Sequence, residues 1–260
     1  MISNHDSPSS DRGAIANPPS SENTHPAPPP VDQSLPTAGE IVPYLVPMFA
    51  YVGLSGLESY LPRLGGGPSP SWYPLAYTAK LGIVIFLAYW YRSTWNDFRP
   101  APKFPAIGLA VLCGLLVWGI WIGLDGRYPK FSFLGSRTEF NADALAPAAR
   151  WSFIGIRLLG LALVVPVIEE LFWRSFLMRW LIDADFFKVP IGRVTPLAAV
   201  TTSVLFALAH PEWLPALLTG LLWAGLLWLT KSLGACAISH SVANLALGIY
   251  VIVTGDWKFW

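Results

Sequence analysis

The chain has 260 residues, of which 53% are hydrophobic and only 13% charged, with a formal net charge of +1. An average soluble domain carries about 25% charged residues, so this composition excludes an ordinary water-exposed globule. The near-neutral balance also excludes the basic footprint of a nucleic-acid-binding protein. A mean hydropathy of +0.48 and thirteen tryptophans, residues that crowd membrane interfaces, indicate an integral membrane protein of the all-α class. Cys113 and Cys236 lie inside apolar runs and form neither a disulfide framework nor a CxxC metal knot.

Residues 1 to about 38 are rich in Pro, Ser and Asn and nearly free of large apolar side chains. Such a segment cannot bury enough surface to offset its ordering entropy, and it reads as a disordered tail. It lacks the basic start and apolar centre of a signal peptide, so the first hydrophobic run is expected to act as an uncleaved anchor. From residue 41 to about 256 the chain alternates apolar runs with short breakers. About 20 apolar residues cross a hydrocarbon core, and the pattern predicts some seven spans near 41–61, 73–91, 104–124, 148–168, 194–210, 213–230 and 233–254. The last three are separated by two or three residues, which makes them antiparallel neighbours or a re-entrant pair. Counting Lys and Arg with the N-terminus in the cytoplasm places eight inside and six outside, a small excess in the favoured sense. The segment ELFWRSFLMRWLI, 170–182, is too short and too charged to span, and its arginines flank apolar residues as in a helix lying along the interface.

Ionisable residues at membrane depth cost about 2.5–3.5 kcal/mol each on insertion scales, so each needs a reason. Glu169 and Glu170 sit together near the end of the fourth apolar run, in VVPVIEELFWR. Successive helical residues differ by about 100° in direction, so the two carboxylates cannot face one partner. Glu170 and Arg174 are spaced i,i+4 and suit an ion pair, which leaves Glu169 pointing elsewhere and able to hold a proton or a water. Pro166, just before, removes a backbone donor. These residues alone would equally suit the end of a span at the interface. The histidines tip the balance: apart from His5 and His25 in the tail, the chain has only His210 and His240, both in or at the ends of apolar helices, and His240 has Asn244 one turn later. A carboxylate, two imidazoles and a carboxamide are the groups needed to activate a water and stabilise an oxyanion.

Glu-Glu-x-x-x-Arg at 169–174, Phe-x-x-x-His at 206–210 and His-x-x-x-Asn at 240–244, in that order on successive apolar helices, resemble the CPBP (Abi) family of intramembrane proteases. That family includes the type II CAAX prenyl endopeptidases. The likeness covers about 145–255, and WRSFLMRWLIDADF with the ending TGDWKFW is similar to a bacterial CAAX prenyl protease-related subgroup found beside exosortase-type sorting systems. The resemblance implies an intramembrane endopeptidase of the bacterial inner membrane acting on a protein or peptide, in some relatives a lipid-modified one. It implies that Glu169 and His210 activate the water, His240 and Asn244 stabilise the oxyanion, and Glu170 and Arg174 orient the site. A second account within the likeness is a zinc enzyme with Glu169, His210 and His240 as ligands and water in the fourth position. No HExxH occurs, so spacing does not choose between them.

Two other function classes stay open on the sequence. A transporter also buries Glu, Arg, His and Asn, but it typically shows matching halves, and here the polar residues gather in the C-terminal part. A catalytically silent binding or immunity protein could keep the same pocket. Glu58, Lys80, Arg150 and Arg157 are expected to snorkel or to pair inside the bundle, and Asp183 and Asp185 to end the 170–182 helix. Phe172, Trp173, Trp213 and Trp223 read as lipid-facing or packing groups that could line a groove.

Overall fold

The structure, a computed structural model, describes residues 35–65, 67–136 and 139–260; the segment read as a tail lies almost wholly outside them. Seven helices account for most of the described chain. They are α1 (Ala38–Leu57), α2 (Tyr73–Trp90), α3 (Phe104–Leu124), α4 (Pro147–Trp180), α5 (Pro196–Leu208), α6 (Trp213–Thr230) and α7 (Leu233–Thr254). Among the described residues, strands are confined to one short antiparallel pair, β1 (Arg63–Leu64) against β2 (Gly67–Pro68).

Helices thus stand at all seven expected places, but five of them, α1, α3, α4, α6 and α7, are long and apolar enough to cross a membrane. α5 has 13 residues, and α2 interrupts its apolar run with the buried Lys80 and three tyrosines. Where the sequence suggested a fourth span followed by a separate interfacial helix, the structure has one continuous helix of 34 residues. Every residue from Leu171 to Phe176 is buried, as are Met178 and Arg179, so 170–182 is not an amphipathic helix lying along the bilayer. Its arginines pair with carboxylates inside the protein instead of snorkelling outward: Arg174 with Glu170 and Arg179 with Asp97.

Helix ends follow the local sequence. Thr37 and Glu40 form a capping box at the start of α1, and the Thr195 and Ser232 hydroxyls accept from backbone N–H groups at the starts of α5 and α7, supplying acceptors to donors that have no helical partner. Between α6 and α7 only Lys231 and Ser232 intervene; Lys231 adopts a left-handed φ of 52°, and its Nζ donates to the Gly192 carbonyl at 3.0 Å. That reversal makes α6 and α7 antiparallel neighbours. The Trp223 indole seals the pair by donating to Ser239 Oγ at 2.9 Å, and Trp121 of α3 reaches Thr219 of α6 at 3.0 Å.

The polar groups of the C-terminal half depend on close helix approach. α3 packs along α7 and α5 along α6. At Gly114 an added Cβ would lie 2.9 Å from Val242 Cβ, and at Gly220 one would lie 2.8 Å from Ser203 Cβ, both inside van der Waals contact. Small residues let membrane helices approach this closely. Gly114→Ala is therefore expected to lower the melting temperature of the detergent-purified protein, because overpacking costs about 1–3 kcal/mol. Gly108→Ala on the same helix, where an added Cβ meets no atom within 4 Å, is the matched control. It should leave the melting temperature unchanged or raise it, as filling an open helical glycine stabilises by about 0.4–1 kcal/mol.

Candidate active site

Glu169 and Glu170 lie on a short α-helical stretch of α4, Val165–Glu170, between two π-helical segments, Gly160–Val164 and Leu171–Leu177. Such wide turns recur at functional sites, and the first of them has a local cause. The Val165 N–H is given to the Gly160 carbonyl. The next residue, Pro166, has no N–H to give. The Leu161 carbonyl is thereby left without a helical donor from either, and Asn244 Nδ2 donates to it from α7 at 2.8 Å. The proline that reads as a kink in the sequence fixes the position of a carboxamide 78 residues further on.

The two carboxylates point in different directions, as their adjacency requires. Glu170 is fully buried, and its Oε1 accepts from Arg174 Nη1 at 3.2 Å and from His240 Nδ1 at 3.0 Å. The bond to His240 is not evident from sequence spacing, which suggested only the pair with Arg174. Arg174 is itself buried, with its guanidinium 4.9 Å from the ring centres of both Phe206 and Trp223. Those two rings in turn lie against the histidines: Phe206 is 4.4 Å from the ring of His210, and Trp223 is 4.3 Å from that of His240. One cation thus holds two aromatic rings, and each ring backs one imidazole. Phe206 carries a signal one helical turn before His210, but nothing in the sequence marks Trp223 as the partner of Arg174.

His210 stands at the end of α5, and its Nδ1 lies 2.7 Å from the Phe206 carbonyl. A carbonyl only accepts, so Nδ1 carries the proton and the neutral ring has its basic nitrogen at Nε2. Glu169 is buried, and its Oε2 has no hydrogen-bond partner. Glu169, His210, His240 and Asn244 all line one cavity of about 420 Å³, with Phe206 and Trp223 in its wall, a volume in the ordinary range for ligand sites. All four cavity-lining groups that the sequence singled out therefore meet around one space. Glu170 and Arg174 are buried behind it.

The expected bland roles divide. Glu58 and Lys80 pair inside the bundle at 2.5 Å, Arg150 pairs with Asp143 nearer the surface at 2.7 Å, and the Asp183 carboxylate accepts from Asp185 N just beyond α4. Trp173 and Phe172 pack inside, and Trp213 donates to the Pro129 carbonyl. Sequence reasoning missed Asp97, from the α2–α3 connection. Its Oδ2 accepts from Tyr44 at 2.8 Å, from Arg179 Nη2 at 2.9 Å and from Ser175, and so anchors the far end of α4.

A zinc site at Glu169, His210 and His240 is not supported by the donor arrangement. Among the described residues no three His, Cys, Asp or Glu side chains are grouped as a metal ion needs.

The Glu170–Arg174 pair makes a stability prediction. Removing one member of a buried pair strands a charge and typically costs about 3–5 kcal/mol, whereas replacing both can be nearly neutral. Arg174→Met should sharply lower the yield and melting temperature of the purified protein, and Glu170→Gln with Arg174→Met should recover a large part of the loss. Equal melting temperatures for the single and double variants would contradict the pairing.

Comparison with known proteins identifies this region. Residues 151–246 match the family model described as type II CAAX prenyl endopeptidase Rce1-like. No curated protein and no solved structure matches the chain. The match leaves out α1 to α3 and includes Glu169, Glu170, Arg174, Phe206, His210, Trp223, His240 and Asn244. It is a protease family, with proteins or peptides as substrates and a membrane as its setting. Over residues 151–246, the stretch that holds every residue of the buried polar cluster, the chain is similar to the type II CAAX prenyl endopeptidase Rce1-like family.

Proposed function

We propose that the protein is an intramembrane endopeptidase that hydrolyses a peptide bond near or within the bilayer through a water activated by Glu169 and His210. The observation that carries this reading is the buried Glu169 carboxylate with an unpartnered oxygen, facing the same cavity as two imidazoles and a carboxamide. A buried polar atom without a partner is costly; a water held between Glu169 Oε2 and His210 Nε2 would relieve that cost and lie where the reaction needs it.

The chemistry follows from the donor inventory. Glu169 takes a proton from the water, and the hydroxide oxygen forms a bond to the scissile carbonyl carbon. The developing oxyanion accepts from the second N–H of Asn244, whose first is fixed on Leu161, and from Nε2–H of His240 in its doubly protonated form. Nδ1–H of that ring stays on Glu170. When the C–N bond breaks, the proton held by Glu169 passes to the leaving nitrogen, so the carboxylate is regenerated. Glu170, Arg174, Phe206 and Trp223 position the two rings and touch no reacting atom. The biological role in this reading is CAAX-type processing or a related protein-maturation step, in the bacterial cytoplasmic membrane with the N-terminus in the cytoplasm. The resemblance to bacterial relatives and the distribution of Lys and Arg support that placement.

Glu169→Gln keeps the shape of the side chain and cannot take a proton, so activity should fall by about 10²–10⁴-fold with an unchanged melting temperature. Asn244→Ala should lose about 10²–10³-fold, the effect of one oxyanion donor. Cleavage of a candidate substrate by the purified protein in detergent, with and without a chelator, measures both. Undiminished cleavage by Glu169→Gln would overturn Glu169 as the base, absence of cleavage by the unaltered protein would return the cavity to a binding role, and loss of cleavage on chelation would overturn the metal-free mechanism.

A further inference from the structure

The cavity does not end at the hydrolytic cluster. α4 and α7 run antiparallel, with Asn244 at the level of Leu161 and Gly248 against Leu158, and the space between them continues to Arg157, Tyr73, Lys80 and Glu58. Arg157 is twelve residues before Glu169 on α4, about 18 Å along a helix axis. This second pole holds two cations and one carboxylate, and the carboxylate is taken: Glu58 is paired with Lys80. The buried Arg157 donates from Nη1 to the Tyr73 hydroxyl at 2.6 Å and lies over the rings of Tyr73, Tyr77 and Trp260. Its Nε has no hydrogen-bond partner, and no carboxylate among the described residues is paired with it. A buried guanidinium without an anion is costly, and a planar fork of donors matches a carboxylate in geometry as well as charge.

We propose that Arg157, held by Tyr73, is a carboxylate-binding subsite that anchors the peptide substrate by an anionic end while Glu169 and His210 act on a bond further along. The carboxylate can be the C-terminal one or that of an Asp or Glu side chain; the C-terminal group is present on every peptide and needs no particular sequence. An extended chain covers about 3.3 Å per residue, so a peptide bridging the two poles in extended form spans about five residues, and the released fragment is a short peptide. The proposal rests on the hydrolytic reading only for what happens after binding; the subsite itself can be tested without turnover.

The test uses the full chain in detergent carrying Glu169→Gln, which holds a ligand without cutting it. Three N-acetylated apolar pentapeptides are titrated by calorimetry: a free acid, its C-terminal amide, and an amide ending in Glu. The free acid should bind about ten- to a hundredfold more tightly than the plain amide, the range expected for a charge-assisted contact. Tight binding of the Glu amide as well would show that a side-chain carboxylate also serves. Adding Arg157→Gln should erase the preference for the acid, and Tyr73→Phe, which keeps the charge and removes only the hydroxyl, should weaken it. Equal affinity of the acid and the plain amide for the protein with Arg157 intact would overturn the subsite, whether or not the enzyme cleaves. Conversely, a retained preference for the acid alongside full cleavage by Glu169→Gln would leave the subsite standing and refute the catalytic assignment.

Discussion

The arrangement of the C-terminal half depends on a buried charge cluster, Glu170 with Arg174 and His240. Taking a carboxylate and a guanidinium out of water is expensive, and the mutual attraction repays that cost only when geometry and further contacts are good. Here the further contacts come from aromatic faces. Arg174 lies between the rings of Phe206 and Trp223, and a desolvated cation over a ring is worth about 2 kcal/mol or more. Because the same two rings lie against His210 and His240, one arginine on α4 ties together α5, α6 and α7. Each imidazole has one nitrogen bound and one ring face covered, which fixes its orientation before any substrate arrives.

The backbone of α4 cooperates with this cluster. A regular helix satisfies its own carbonyls, so it offers nothing to a neighbouring side chain. The π turn at Gly160–Val164 together with Pro166 breaks that self-sufficiency at one carbonyl, Leu161, and Asn244 completes it. The second π segment, Leu171–Leu177, contains Arg174. At and just beyond its end, Asp97 receives Ser175 and Arg179, together with Tyr44, and so joins the end of α4 to α1 and to the α2–α3 connection. The helix that carries both glutamates is therefore held at three levels by polar contacts, which suits a site that must be preorganised.

Polar groups inside the bundle fall into two kinds, and the difference is chemical. Glu58 and Lys80 form an ion pair that is neutral in sum. Glu169 and Arg157 line the same cavity with no opposite charge paired to either among the described residues.

The sequence by itself determined the helical membrane class, the positions of the seven helices and which ionisable residues stand out in apolar runs. Apolar periodicity and chain breakers are local, and ionisable residues in apolar runs are conspicuous wherever they occur. It also determined that Glu169 and Glu170 must diverge and that Arg174 is placed to pair with Glu170, since both follow from the angle between successive helical residues. Only the tertiary structure decided that 170–182 continues α4 into the interior, because whether an arginine snorkels or pairs depends on a partner such as Asp97 that is 82 residues away. The bond from Glu170 to His240, the placing of Arg174 between two rings and the capture of Leu161 by Asn244 likewise join residues far apart in the chain. None leaves a periodic trace, because each depends on how closely the helices approach, which small residues such as Gly114 and Gly220 set by leaving no side chain between neighbouring backbones.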